Sequence, residues 1–209
     1  MAKQFDVVVI GAGPGGEVCA GRLADGGLSV TIVEDDLVGG ECSFYAGMPS
    51  GALLRPAQAI AEAGRVAGAA QAVSGELDVS AVLARRDEVV HGLDDEEQVP
   101  CSTRAGSRCC EDAASSTGCS AYAMGSAAAI PSVDGLAEAE PWTNREVTTL
   151  SEIPASVLIL GGGVVGCEMK HAISSLGAPV TLVEPGPGLL GREEPFAGEL
   201  AEAALRRGG

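Results

Sequence analysis

One motif occurs twice in this chain with the same internal spacing, and it leaves few folds open. Val7-Val8-Val9-Ile10 runs into Gly11-x-Gly13-x-x-Gly16, and Glu34 closes the next apolar run, Val30-Thr31-Ile32-Val33. Val157-Leu158-Ile159-Leu160 runs into Gly161-x-Gly163-x-x-Gly166, and Glu184 closes Val180-Thr181-Leu182-Val183. Both glutamates stand 18 positions after the third glycine. A lone GxGxxG carries little weight. A strand before it, a helix after it and an acid ending the second strand make it the signature of a βαβ dinucleotide site.

Each part of the motif has a physical task. The first glycine lets the chain turn sharply out of the strand, and the second leaves room for a pyrophosphate against bare backbone. The third lets the helix pack closely on the sheet. Unpaired N–H groups at the helix start, with the positive end of its dipole, then attract phosphate. The spacing selects Gly11, Gly13, Pro14, Gly15, Gly16 and Glu34 for one nucleotide site, and Gly161, Gly163, Gly166 and Glu184 for another. The terminal acid accepts hydrogen bonds from ribose hydroxyls. Its charge opposes a 2′-phosphate, so Glu184 favours NAD over NADP. The competing reading is two glycine-rich turns that hold no ligand.

Length and composition suit this architecture. The 209 residues allow one large domain or two small ones, and 46% of them are apolar. A formal charge of −16 disfavours nucleic acid or an anionic membrane as partner. No apolar run has the length of a membrane span, and Met1-Ala2-Lys3-Gln4-Phe5-Asp6 lacks the apolar core of a signal peptide. A cytoplasmic location is therefore expected. The seven cysteines are odd in number and irregular in spacing, which does not fit a disulfide framework.

The sequence predicts a strand over 6–10, a helix over 14–25 stopped by Asp25-Gly26-Gly27, and a strand over 28–34. Residues 35–50 read as a glycine-rich loop, followed by a helix from Gly51 to about residue 70. A further helix is expected from Val79 to Leu93, with Asp78 as N-cap and Val82, Leu83, Val89, Val90 and Leu93 as its apolar stripe. Asp94-Asp95-Glu96-Glu97 reads as a solvated helix end, and residues 100–122 show neither the helix nor the strand period. The second βαβ unit spans 156–184, and a last helix runs from Glu194 to Arg206. The expected fold is α/β with Rossmann-like three-layer domains: one over 1–150, irregular at 100–122, and an incomplete one over 151–209. A complete dinucleotide domain would continue with further strands.

The two fingerprints are separated by a Gly39-Gly40-x-Cys42 loop and by the Gly125-Ser126-x-x-x-x-Pro131 segment. In this the chain resembles the two-dinucleotide-domain flavoproteins, and most closely the pyridine nucleotide–disulfide oxidoreductases. The similarity covers about residues 5–98 and 123–205. It implies FAD at the first fingerprint, with Gly40, Cys42, Gly125 and Ser126 around it, and NAD(P)H at the second. It also implies hydride transfer from nicotinamide to flavin, then to a cysteine pair. The family is homodimeric through a C-terminal domain that has no counterpart here.

Several positions depart from that family. Cys42 matches the first redox cysteine, but the second falls on Gly47 and the following lysine on Gly51. Glu168 matches the glutamate that pairs with this lysine. Ala123-Met124-Gly125 lacks the family's threonine, and the aspartate segment that holds the ribityl chain has no counterpart. Cys42 is thus either a single reactive thiol or a structural remnant. Cys101, Cys109, Cys110 and Cys119 contain no Cys-x-x-Cys pair, so no metal site is expected. Cys19 and Cys167 read as core, and His91 and His171 as helix residues without catalytic partners. Arg55, Arg85 and Arg86 read as surface charges, and Trp142 as a packing residue. Two functions follow. One is an FAD-dependent, NAD-linked oxidoreductase that passes electrons to a small-molecule acceptor. The other is a non-catalytic, degenerate nucleotide-binding fragment.

Overall fold

The computed structural model describes residues 4–96, 98–99, 107–109 and 115–207. The chain forms two compact units. Unit 1 takes Met1–Met48 and Glu88–Pro141; unit 2 takes Pro49–Asp87 and Trp142–Gly209.

Unit 1 is built on a four-stranded, wholly parallel sheet. Its strands are β1 (Gln4–Ile10), β2 (Val30–Val33), β3 (Ser107–Cys109) and β4 (Ser115–Tyr122), in the order β3-β2-β1-β4. Helix α1 (Pro14–Asp25) is the crossover between β1 and β2. Val7, Val8, Val9, Val30, Thr31 and Ile32 are all buried, as in a parallel sheet covered on both faces. Residues 100–122 were expected to be irregular, yet two strands fall within them. Their Ser-, Ala- and Cys-rich sequence has weak strand propensity. Pairing with β1 and β2 decides their conformation, a tertiary effect that local pattern does not carry.

The expected loop over 35–50 also contains helix. A short α2 (Gly40–Phe44) follows Gly39, whose φ of 118° is open to glycine, and α3 (Gly47–Gly64) begins four residues before Gly51. Pro49 sits in its first turn, where no intrahelical N–H is needed. The helix stops at Gly64, short of residue 70.

Unit 2 holds the remainder of α3, then α4 (Val79–Val89), α5 (Asn144–Thr148), β5 (Val157–Leu160), α6 (Val164–Ser175), β6 (Val180–Val183) and α7 (Pro195–Arg207). Asp78 accepts the Ala81 N–H at 3.1 Å, as an N-cap should. A Thr143/Glu146 capping box starts α5. Leu53, Leu54, Val82 and Leu83 pack with Met169 and Ala172 of α6 and with Leu176 just after it, so the inserted helices share a core with the second fingerprint. β5 and β6 form a two-stranded parallel sheet that alternates half-buried and exposed residues; Leu158 is 63% exposed.

Arg86 is not a surface charge, since it is only 2% exposed. Its Nη1 and Nη2 donate to the Thr148 and Leu150 carbonyls, each at 2.5 Å, and its Nε pairs with Asp87 at 2.7 Å. The guanidinium fork satisfies carbonyls at the end of α5 that a solvated lysine would leave to water. Trp142 is also misread by sequence: it stands 52% exposed ahead of the α5 cap. Among the described residues, no helix is long and apolar enough to cross a membrane, and no three His, Cys, Asp or Glu side chains are grouped to hold a metal. Cys101 and Cys110 lie outside the described residues.

Candidate nucleotide-binding loops

The two fingerprints fold alike, residue for residue. β1 pairs with β2 from Val7↔Val30 to Ile10↔Val33, and β5 pairs with β6 from Val157↔Val180 to Leu160↔Val183. The first glycine of each has a positive φ, 102° at Gly11 and 107° at Gly161, and donates its N–H to the last strand residue, Val33 or Val183, at 2.8 Å. The middle glycines, Gly13 and Gly163, are extended N-caps of α1 and α6 with no side-chain acceptor. The third glycines are sterically compulsory. A Cβ on Gly16 would run into the Gly11 carbonyl oxygen, and one on Gly166 into that of Gly161. The sharp turn, the open backbone and the close helix packing thus fall on the first, second and third glycine in turn.

These loops fit a pyrophosphate. A Cβ added at Gly15 or Gly163 meets nothing within 4 Å, and one at Gly13 meets only Gly40 Cα, at 4.0 Å. Bare backbone therefore faces open space at two uncapped helix N-termini. In the first copy, Glu17 lies half-buried in the first turn of α1, and burial pushes its carboxyl up from the usual range.

Each terminal acid reaches the loop of its own fingerprint. Glu34 Oε2 accepts the Ala12 N–H at 2.6 Å, while Oε1 accepts those of Asp35 and Asp36 at 3.0 and 3.1 Å. Glu184 Oε2 accepts the Gly162 N–H at 2.7 Å and Oε1 that of Gly186 at 2.6 Å. The Gly162 and Gly186 N–H groups hold the Glu184 carboxyl below its usual range.

Other candidates fall as follows. Gly40 lies against Gly13, where an added Cβ would stand 2.7 Å from the Gly13 Cα. Cys42 is exposed on α2. A Cβ built on Gly47 lies 3.4 Å from the Cys42 Sγ, so the lost cysteine's position still faces the remaining thiol. Gly125 and Ser126 are exposed, and Ala123, just before them, closes on the loop: its N–H donates to the Ile10 carbonyl at 2.7 Å. Gly51 has open space around it, and Glu168 is half-buried on α6. Cys167 is half-buried rather than core, and its thiol donates to the Gly162 carbonyl at 3.5 Å. Burial, then the Glu168 and Glu184 carboxylates, pushes that thiol up. Cys19 is half-buried against the unit 1 core, His91 is exposed and His171 half-buried.

Sequence reasoning missed one residue near the first loop. Asp95, read as part of a solvated acidic run, accepts the Val38 N–H at 2.7 Å and so braces the segment leading to Gly39-Gly40. Its 57-residue separation from Val38 left no local signal. Unit 2 also has a cavity of about 530 Å³, lined in part by Lys170, Val180, Leu182, Leu189 and Leu205, and Glu184 is the fingerprint residue that reaches it.

The family model described as pyridine nucleotide-disulphide oxidoreductase matches residues 5–209. The chain belongs to this family. Dihydrolipoyl dehydrogenase from Acholeplasma laidlawii is 29% identical, over 91% of this chain and 62% of the relative. Mercuric reductase from Acidithiobacillus ferrooxidans is 30% identical, over 99% of this chain and 42% of the relative. The copper(II) complex of the HOCl-induced flavoprotein disulfide reductase RclA from Escherichia coli shares the fold, with a TM-score of 0.79 at 21% identity, over 97% of this chain and 47% of that one. The chain thus spans roughly half the length of these relatives. Pyridine nucleotide-disulphide oxidoreductases are flavin-dependent and use NAD(P)H, and the FAD/NAD-binding architecture expected from sequence is the one observed.

Proposed function

We propose that this chain carries the FAD- and NAD-binding loops of an oxidoreductase that passes hydride from nicotinamide through flavin to a small-molecule acceptor. The observation behind this reading is the pair of matching glycine loops with uncapped helix N-termini and an acid at each second strand end. Gly11, Gly13, Pro14, Gly15, Gly16 and Glu34 would hold FAD, with Gly40, Cys42, Gly125 and Ser126 close to it in sequence or space. Gly161, Gly163, Gly166 and Glu184 would hold NAD, with Glu168 on the helix behind them. Glu184 disfavours NADP because its charge opposes a 2′-phosphate. Flavin, when bound, supplies the two-electron step between nicotinamide and acceptor. Cys42 cannot relay those electrons as an intramolecular disulfide while residue 47 is glycine. The acceptor is therefore one reduced directly, such as a quinone or oxygen. A cytoplasmic location and a homodimer, as in the family, belong to the same proposal.

The purified protein is expected to acquire a yellow flavin spectrum with FAD and to bleach when NADH is added without oxygen. A protein that stays colourless with added FAD overturns the proposal. The replacements at 47 and 51 favour a second reading, a nucleotide-binding relative without turnover. Retained flavin that NADH does not bleach selects it.

The 3.4 Å approach at Gly47 gives a separate expectation. In oxidised glutathione, a Gly47→Cys variant should form a disulfide between Cys42 and the introduced thiol. Disulfides need Cβ atoms about 3.5–4.5 Å apart, and such a span is in reach here. Peptide mass mapping reads this as a linked pair that has lost two hydrogens. No link, under conditions where Cys42 itself is modified, shows that α2 and the start of α3 do not hold this geometry in solution.

A further inference from the structure

Each fingerprint acid holds its loop through a contact that a ribose-binding role does not require. The ladder ends at Leu160↔Val183, and Gly161 takes the Val183 carbonyl. The next amide, Gly162, is buried and lies beyond the reach of the strand pairing. Glu184 is the first residue after β6, and its Oε2 accepts that amide at 2.7 Å. The first copy repeats the arrangement, with buried Ala12 and Glu34 at 2.6 Å. A buried N–H left without an acceptor costs about 1–3 kcal/mol, so some group must take it.

The surroundings are shaped to this contact. The Gly162 carbonyl accepts the Leu190 N–H at 2.8 Å, and the Ala12 carbonyl accepts that of Gly39 at 2.9 Å. Both faces of the same peptide residue are thereby tied to the segment after the second strand. A Cβ on Gly162 would stand 2.5 Å from Leu189 Cδ2, and one on Gly186 would stand 2.8 Å from Glu184 Oε1. Glycine at both positions lets the carboxylate sit between them.

We propose that Glu34 and Glu184 are positioning residues for the phosphate-binding turns, each fixing its glycine loop by accepting a buried loop amide as well as receiving a ribose. The inference rests on the nucleotide reading of these loops. A carboxylate has about four acceptor positions. Two amides on Glu184 leave room for ribose hydroxyls, so the two tasks are compatible.

Amide hydrogen exchange by NMR on the full chain tests this. In Glu184→Ala, protection of the Gly162 amide should fall about tenfold or more, from a contact of at least 1.4 kcal/mol. The Gly161 amide, held by Val183, should keep its protection. Glu184→Gln retains one acceptor oxygen and should restore part of the loss. Inorganic pyrophosphate, which has no ribose, should bind several-fold more weakly to Glu184→Ala, whereas removal of a negative charge alone would tighten it. Unchanged Gly162 protection beside a protected Gly161, or pyrophosphate binding that is equal or tighter, overturns the proposal. Should the alanine variant not fold, trans-hydrogen-bond coupling between the Gly162 nitrogen and the Glu184 carboxyl carbon in the unaltered protein decides instead, and its absence overturns the contact. Failure of NADH to bind the unaltered protein, with Gly162 protected as expected, removes the nucleotide reading and leaves the carboxylate contact standing.

Discussion

Gly16→Ala should destabilise unit 1 by about 3 kcal/mol or more, at the upper end of what overpacking costs. The added methyl would overlap the Gly11 carbonyl oxygen and stand 3.4 Å from the Ala123 Cβ. Backbone is the obstacle, so no side chain can rotate away. Helix α1 must lift from the strand end to make room. Gly15→Ala, one residue earlier on the same helix, meets nothing within 4 Å and should be neutral or stabilising by up to ~1 kcal/mol. Urea unfolding followed through the exchange of β1 amides reads both. Equal midpoints for the two variants would show that the turn is looser than the structure has it. Gly166→Ala in unit 2 repeats the test against the Gly161 carbonyl.

The second large effect is expected at Arg86. Arg86→Ala removes three hydrogen bonds and leaves the buried Thr148 carbonyl without its donor. A loss of about 3 kcal/mol follows for unit 2, from unmade buried bonds and the vanished packing of the arginine stem. Arg86→Lys should recover only part of it, because one ammonium nitrogen replaces the three separate nitrogens that bond Thr148, Leu150 and Asp87. Thermal unfolding, with exchange of α4 and α6 amides as the local readout, checks both variants. A transition unmoved by Arg86→Ala would mean that these carbonyls are satisfied by other donors.

The sequence made the fingerprints legible because everything they need lies within 28 residues, 7–34 and 157–184, and each glycine has a distinct steric reason. Strand ends, helix starts and the Asp78 cap follow from the same local chemistry. Apart from the helix hidden in the glycine-rich 40–50 segment, the missed features are non-local. Strands β3 and β4 are set by partners more than 70 residues away, and the weak propensities of Ser107–Cys109 and Ser115–Tyr122 say nothing of that. Arg86 is buried because carbonyls 62 and 64 positions later need a donor, a demand absent from the apolar stripe of α4. Asp95 was hidden by its acidic neighbours. At the candidate site, sequence located Gly47 as the missing cysteine, whereas its position facing the Cys42 sulfur required coordinates.

The carboxylate–amide contact bears on how such motifs persist through descent. If Glu34 and Glu184 satisfy buried amides of their own loops, selection for a folded chain is enough to keep them. The same holds for Gly16 and Gly166, whose hydrogen atoms face carbonyl oxygens rather than any cofactor. Gly47 and Gly51 are under no such constraint, since neither contacts backbone closely. A lineage that gives up turnover would therefore lose its cysteine and lysine early and its fingerprint late. Which residues have drifted is then a better gauge of lost chemistry than the motif is of chemistry retained.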